Sequence, residues 1–431
     1  MLTQFFKRPS SPGILLIIST ILALVLANSP WSEHYFSFMQ MNFTVGMVEG
    51  VNITHSVEHW INDGLMAIFF LLIGLEIKSE LKFGELNSVK SALFPTVTAI
   101  GGAIIPAAIF MMINMGTENV NGWAIPMATD IAFVIGIISL IGSRIPIWVK
   151  VFITTVAVVD DLIAIAVIAV FYTNDINFVA LLIAAFLVLL LVFFNLKKTN
   201  HLLPYMIVGG LLWWAIMASG VHATLAGVIL ALTIPLNRDW SKEEITERAR
   251  RNYDFYMLAK DGGSGVTMKD AHIKLEKTKR QIESPLKRLE RKLHNPVYFL
   301  IMPLFAFVNA GIVLDGGVLT SAFDSTITLG IFLGLFLGKP LGILLGFWLI
   351  YKLTRTKNSP KPVNLWTTIL GVGFLGGIGF TMSFFIGNLS YSEGESLDYA
   401  KVGILSASLL GTLLGFYFLR YRIKRFDDDG F

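Results

Sequence analysis

The stretch VAVVDDLIAIAVIAV, residues 156–170, places two adjacent carboxylates, Asp160 and Asp161, in the middle of an otherwise apolar run. At the centre of a membrane helix each ionised Asp costs about 2.5–3.5 kcal/mol on the insertion scale, so a chain that keeps two of them there has a use for them. A helix of about 20 residues crosses the hydrocarbon core, and this run continues far enough in both directions to do so. The rest of the chain decides whether it does.

The protein has 431 residues, of which 54% are hydrophobic and only 15% charged, and its mean hydropathy of +0.67 lies far above that of soluble domains. Apolar runs recur at nearly regular intervals and lack the alternation of a β-barrel. We expect an all-α polytopic membrane protein with about twelve transmembrane helices in a single membrane domain spanning residues 1–431. The spans fall near 13–29, 57–79, 92–114, 122–141, 147–172, 178–195, 203–218, 221–236, 295–313, 326–351, 363–388 and 398–420. The run from Gly13 follows Lys7 and Arg8 but lacks a small-x-small cleavage site, so it reads as a span and not a signal peptide. No cysteine is present, which excludes disulfides, thiol catalysis and Cys-ligated metals.

Charge in the connections alternates along the chain. Lys78, Lys82 and Lys90 are followed by Glu118, then Arg144 and Lys150, then Asp175, then Lys197 and Lys198. By the positive-inside rule the basic connections face the cytoplasm, as do both termini, with Lys7 and Arg8 at one end and Arg420, Arg422, Lys424 and Arg425 at the other. Glu393, Glu395 and Asp398 then lie outside. Between the spans, residues 43–55 carry β-branched side chains around a glycine and suggest a periplasmic hairpin, either a cover or the contact of a homodimer. Residues 241–294 form a charged cytoplasmic segment that breaks at GGSG, 262–265, beside anionic lipid. Its end, PLKRLERKLHNP, has Leu286, Leu289 and Leu293 at helical spacing beside Glu290 and is expected to run into the next span.

Two spans are interrupted. In PMATDIAF, 126–133, Pro126 lacks a backbone donor and disfavours helix at Ile125, with Asp130 close behind. In GVGFLGGIGFT, 371–381, glycine is too frequent for a strong continuous helix. These are the fourth and eleventh spans, which enter from opposite sides, each in the middle of a trio. That arrangement points to an inverted-repeat secondary transporter with its site at mid-membrane. Broken helices expose partial positive charge at their N-termini and partial negative charge at their C-termini. Asp130 is suited to the first, while Lys339, deep in the tenth span, is suited to the second or to a carboxylate.

Helix neighbours lie about 100° apart, so Asp160 and Asp161 face different ways; one is free to line a watery cavity while the other pairs with a cation. An acid in such a place holds a proton or a small hard cation, which prefers oxygen ligands. Thr129 adds a further oxygen. Three intramembrane Asp residues against one Lys leave a surplus of acid, which favours a cation site over a balanced structural cluster. An intramembrane aspartyl protease would need two Asp side chains converging on one water, and adjacent residues diverge, although Asp130 and Asp161 could still meet. Neither H-E-x-x-H nor G-x-S-x-G is present, and no repeated filter sequence suggests a channel. We therefore expect a transporter and not an enzyme, with no cofactor and no nucleic-acid partner.

From FLLIGLEIKSEL through ATDIAFVIG, VVDDLIAI, SGVHATLAG, PLFAFVNAGI and GKPLGI to GGIGFTMSFFIG, the chain resembles the bacterial NhaA-type Na⁺/H⁺ antiporter family over nearly its whole length. That family is itself an instance of the inverted-repeat architecture. The resemblance implies twelve helices, with the fourth and eleventh crossing as broken helices, in the bacterial inner membrane. It also implies outward movement of Na⁺ or Li⁺ against a larger number of inward protons. It makes Asp161 the principal ion and proton carboxylate and Asp160 its companion, paired with Lys339, with Asp130 and Thr129 at the crossing. At the cytoplasmic mouth it matches Glu76, Lys78, Glu80, His222 and Glu290 to positions that shape the pH response, with Asp63 nearer the outer end. Ser79 stands where a basic residue is expected, and the 241–285 segment is longer than the family pattern, so the pH profile is not carried over.

Overall fold

The computed structural model describes residues 8, 10–46, 52–142, 145–173, 176–236, 242–260, 267–270, 273, 283–314, 316–354, 365–391 and 394–422. Several positions used above for orientation, namely Lys7, Arg144, Asp175, Glu393, Lys424 and Arg425, lie outside the described residues, as does GGSG, 262–265.

Helix α1 (Ser11–Ala27) turns through 112° into α2 (Ser32–Gln40), a short helix that the span pattern does not reveal. Strands β1 (Asn42–Gly46) and β2 (Asn52–Ser56) pair antiparallel, with Thr44 opposite Thr54, and the hairpin is tied to the next helix by Trp60 Nε1 donating to Phe43 O at 2.9 Å. Helix α3 (Val57–Phe83) and α4 (Val89–Ile113) follow. A 3₁₀ segment, Glu118–Met127, then gives way to extended residues and to α5 (Ile131–Ile141). Pro126 therefore does not end the helix at Ile125: the tighter 3₁₀ turn carries both residues, and the break falls after Met127.

Next come α6 (Ile147–Phe171), α7 (Phe178–Leu196), α8 (Leu202–Met217), α9 (Leu225–Thr233) and α10 (Lys242–Lys260). Helix α11 (Pro285–Pro296) passes through a π turn, Val297–Ile301, into α12 (Met302–Asn309). The chain continues with α13 (Thr326–Thr354), the interrupted pair α14 (Leu365–Gly376) and α15 (Phe380–Ser390), bent by 46°, and α16 (Glu395–Tyr417).

Among the described residues, seven helices are long and apolar enough to cross a membrane by themselves, or nine if each bent pair is counted as one span. The eighth expected span, 221–236, is helical only over Leu225–Thr233, and at about 1.5 Å per residue that helix covers less than half of a hydrocarbon core. Position in the bundle is legible from burial. An apolar 18-residue stretch of the interrupted segment Glu118–Ile141 is 83% buried by residue, whereas that of Phe178–Leu196 is 22% buried and turns most of its leucines and phenylalanines outward, as a lipid-facing helix does.

Small residues bring the inner helices together. At the α4–α13 seam, Gly101 and Gly342 meet backbone to backbone, and a Cβ on either would overlap the other's chain. Such close approach suits a medium in which helix association rests on packing rather than on exclusion of water. Basic residues collect on one side of the bundle. Arg8 and Lys287 line one cavity there, Lys78, Lys82 and Lys198 another, and Arg288 donates from α11 to Asn200 O. The opposite side holds the hairpin, Asn28, Asn62 and Asn309.

Candidate functional site

The two interrupted segments meet at their breaks. Asp130 N donates to Ile378 O at 2.8 Å, Thr129 Oγ1 lies 2.7 Å from Gly376 O, and Ser383 Oγ donates to Ile125 O at 2.8 Å. Asp130 caps α5 through Phe133 N, at 3.0 Å, and its other oxygen accepts from Thr381 N at 3.2 Å and from the Thr381 hydroxyl. One carboxylate thus receives the exposed N–H groups of two helix starts, where partial positive charge gathers. Next to it Phe380 has φ +30°, a value that a bulky side chain rarely adopts and that marks the break as strained.

Lys339 is fully buried at the α13 side of this junction, its stem lying against Gly102 of α4. Its Nζ is 2.7 Å from Asp160 Oδ2 and also donates to Met127 O, the carbonyl that ends the 3₁₀ segment. Thr129 Oγ1 is 2.8 Å from the same Asp160 oxygen. That hydroxyl has a single proton for two acceptors, Asp160 and Gly376 O, so it donates to only one of them at a time.

Asp161, 2% exposed on the adjacent face of α6, is different. Its Oδ1 is buried without a hydrogen-bond partner, as is Asp160 Oδ1, among the described residues. A cavity of about 540 Å³ approaches from the basic side; Ile131 and Ala132, just past Asp130, and Val158, one turn before Asp161, form its floor. Its walls carry Glu76, Ser79, Glu80 and Glu290, and Glu290 pairs with Lys287 at 2.9 Å. Unpaired carboxylate oxygens supply the oxygen ligands that a small cation or a proton needs, and the cavity ends within one helical turn of them.

Not all of the expected mouth residues gather here. Lys78 turns away and donates to Leu232 O and Ile234 O, both at 2.6 Å, closing the C-terminal end of α9. Glu80 lines the cavity and accepts from Glu85 N at 2.8 Å. His222 is a correction: it lies not at the mouth but in the turn between α8 and α9, on the opposite side, with its ring 6.4 Å from Phe385 and within the electrostatic reach of Asp63. The reason is direction. Helix α8 starts beside Asn200 on the basic side, so the turn that follows it must lie at the far end. Asp63 is there as well, 3.2 Å from His59 Nε2.

Sequence reasoning missed Thr381 as a partner of Asp130, the carbonyls of Met127 and Gly376, and Tyr298, which lines the cavity together with Glu76. Thr381 had a signal, since it follows the glycine-rich break at the point where the next helix must begin. The carbonyls had none.

The fold and this buried cluster define a multi-pass helical membrane protein whose charged chemistry is concentrated between two interrupted segments. The chain belongs to the Na⁺/H⁺ antiporter 1 family, whose model matches residues 3–419. It is 45% identical over 418 residues to the Na⁺/H⁺ antiporter NhaA of Koribacter versatilis, covering 96% of this chain and 89% of that protein. It is 42% identical to the NhaA proteins of Bordetella parapertussis, over 97% of this chain and 96% of that one, and of Vibrio campbellii, over 99% and 96%.

Proposed function

We propose that the protein is a secondary active transporter that extrudes Na⁺ or Li⁺ in exchange for H⁺, drawing on the proton gradient for pH and sodium homeostasis. The observation that carries this reading is Asp161, a buried carboxylate with an oxygen that no described residue bonds, one helical turn beyond Val158 at the inner end of a cavity lined by acids. Asp161 and Asp160 hold the cation, with Thr129 supplying a further oxygen. Proton and cation compete for the same oxygens, so loading one requires release of the other, and that competition couples the two gradients. Lys339 neutralises Asp160 and the Met127 carbonyl, and Asp130 neutralises the two helix starts, so that Asp161 is left to titrate. Glu76, Glu80 and Glu290 line the approach and give it a pH response. A protease dyad is disfavoured because both Asp130 oxygens are already engaged with backbone or hydroxyl groups.

The finer architecture belongs to the same reading: twelve spans, with the fourth and eleventh crossing as broken helices in an inverted repeat. The basic side faces the cytoplasm with both termini, in the bacterial inner membrane. The hairpin is the surface available to a homodimer, and α7 faces lipid. Na⁺-dependent collapse of a pH gradient in everted vesicles is the test. A response from the native chain across roughly pH 6.5 to 9 that vanishes in Asp161→Asn supports the exchange, and a well-inserted native chain that ignores Na⁺ and Li⁺ overturns it.

A further inference from the structure

On the side away from the cavity, three asparagines from three helices share one amide cluster. Asn309, fully buried at the end of α12, donates from Nδ2 to Asn62 Oδ1 at 2.8 Å and to Phe305 O at 2.8 Å. Its Oδ1 accepts from Asn62 Nδ2 at 3.2 Å and from Asn388 Nδ2. Asn388 Oδ1 is buried and lacks a partner among the described residues. Asn62 lies on a π turn of α3, Trp60–Leu65, and Asn388 lies two turns of α15 beyond Thr381, the residue that touches Asp130.

Between this cluster and the acid site is an aromatic layer. Phe385 of α15 has its ring 5.1 Å from Phe70 of α3 and 6.4 Å from Phe305 of α12, and all three are buried. The same three helices therefore contribute one ring and one amide each, stacked in the same order from the site outward. None of these six side chains is charged, and a polar cluster held by amides parts at less cost than an ion pair would.

We infer that Asn62, Asn309 and Asn388, over the Phe70–Phe305–Phe385 layer, form the outer gate of the ion path, the counterpart of the open cavity on the basic side. Alternating access requires that an ion loaded at Asp161 from one side leave by the other, and these are the two layers that must separate for it to do so; the inference rests on the exchange reading above. Asn388 is the hinge partner, because its bond to Asn309 is its single link in the cluster and its free oxygen is ready to take water when that bond opens.

The absence of cysteine makes the test direct. Ala306→Cys places a thiol on α12 one turn before Asn309, below the amide layer, where an impermeant maleimide added to intact cells reports opening to the outside. Removing one buried hydrogen bond biases a two-state gate by about tenfold, so Asn388→Ala should raise the labelling rate by about that factor. It should also raise the KM for Na⁺ measured at the cytoplasmic face more than it changes the maximal rate. Asn388→Gln should restore slow labelling in part. If Asn388→Ala fails to insert, Asn62→Ala removes one arm of the cluster from a partly exposed position and carries the same expectation. Unchanged labelling in a well-inserted variant, with unchanged KM, overturns the gate. Labelling needs no exchange, so faster labelling of a chain that moves no Na⁺ keeps the gate and overturns the exchange reading instead.

Discussion

Asp130 and Asp161 are both buried acids inside the membrane, yet their surroundings divide the labour between them. Around Asp130 each oxygen has a donor, and those donors are backbone N–H groups at helix starts or the Thr381 hydroxyl. Around Asp161 an oxygen goes unpaired among the described residues, and a cavity lined by further acids reaches Val158, one turn away on the same helix. A saturated carboxylate holds structure, because any change in its charge breaks several bonds at once. An unsaturated one is available for a ligand that comes and goes.

Substitutions test that contrast in order of expected effect. Asp161→Asn should reduce Na⁺-driven proton exchange to background while leaving the melting temperature in detergent close to that of the native chain; retained turnover would place the exchange elsewhere. Lys339→Ala leaves the buried Asp160 carboxylate without its cation, and removal of one partner from a buried pair typically destabilises by about 3–5 kcal/mol. A melting curve identical to the native one would contradict this. Asp130→Asn keeps the shape but loses charge opposite two helix starts, for which about 1–3 kcal/mol and a partial loss of exchange are expected. It should lower stability more than Asp161→Asn does, and the reverse order would erase the contrast. Lys78→Met removes bonds to two terminal carbonyls of α9, for about 1 kcal/mol and an unaltered pH profile, since the side chain does not enter the cavity.

The smallest effect serves as a control outside the spans. Burial, and then the neighbouring His59, hold His55 of the hairpin below the usual 6.5. The unfolded chain therefore binds more protons in the window between the lowered value and 6.5, so stability rises with pH through that window and is lost as pH falls through it. The slope should be slight and should disappear in His55→Gln, with exchange unaffected.

Much of this site is legible in the sequence because membranes make charge conspicuous. Asp130, Asp160, Asp161 and Lys339 each interrupt an apolar run, and Pro126 and the glycines of 371–379 betray the breaks. What stays hidden is whatever has no side-chain signature. The carbonyls of Met127 and Gly376 are acceptors only because the helices stop there, and the strain falls on Phe380, not on a neighbouring glycine. The π turns at Trp60–Leu65 and Val297–Ile301 have apolar periodicity too close to that of an α-helix to be told apart. A motif puts His222 on the wrong side because it gives the neighbours along the chain, whereas the side of the membrane depends on counting every preceding turn. Helix α2 is too short and too polar to register as a span at all.

The glycine seam between α4 and α13 also bears on mechanics. Two helices in backbone contact at Gly101 and Gly342 mesh like gear teeth at full depth: neither can roll or slide past the other without driving atoms together. Lys339 is thus bolted to α4 and travels with it as one plate. Any rocking of this protein would have to be accommodated at a joint other than this seam, with Lys339 moving together with α4.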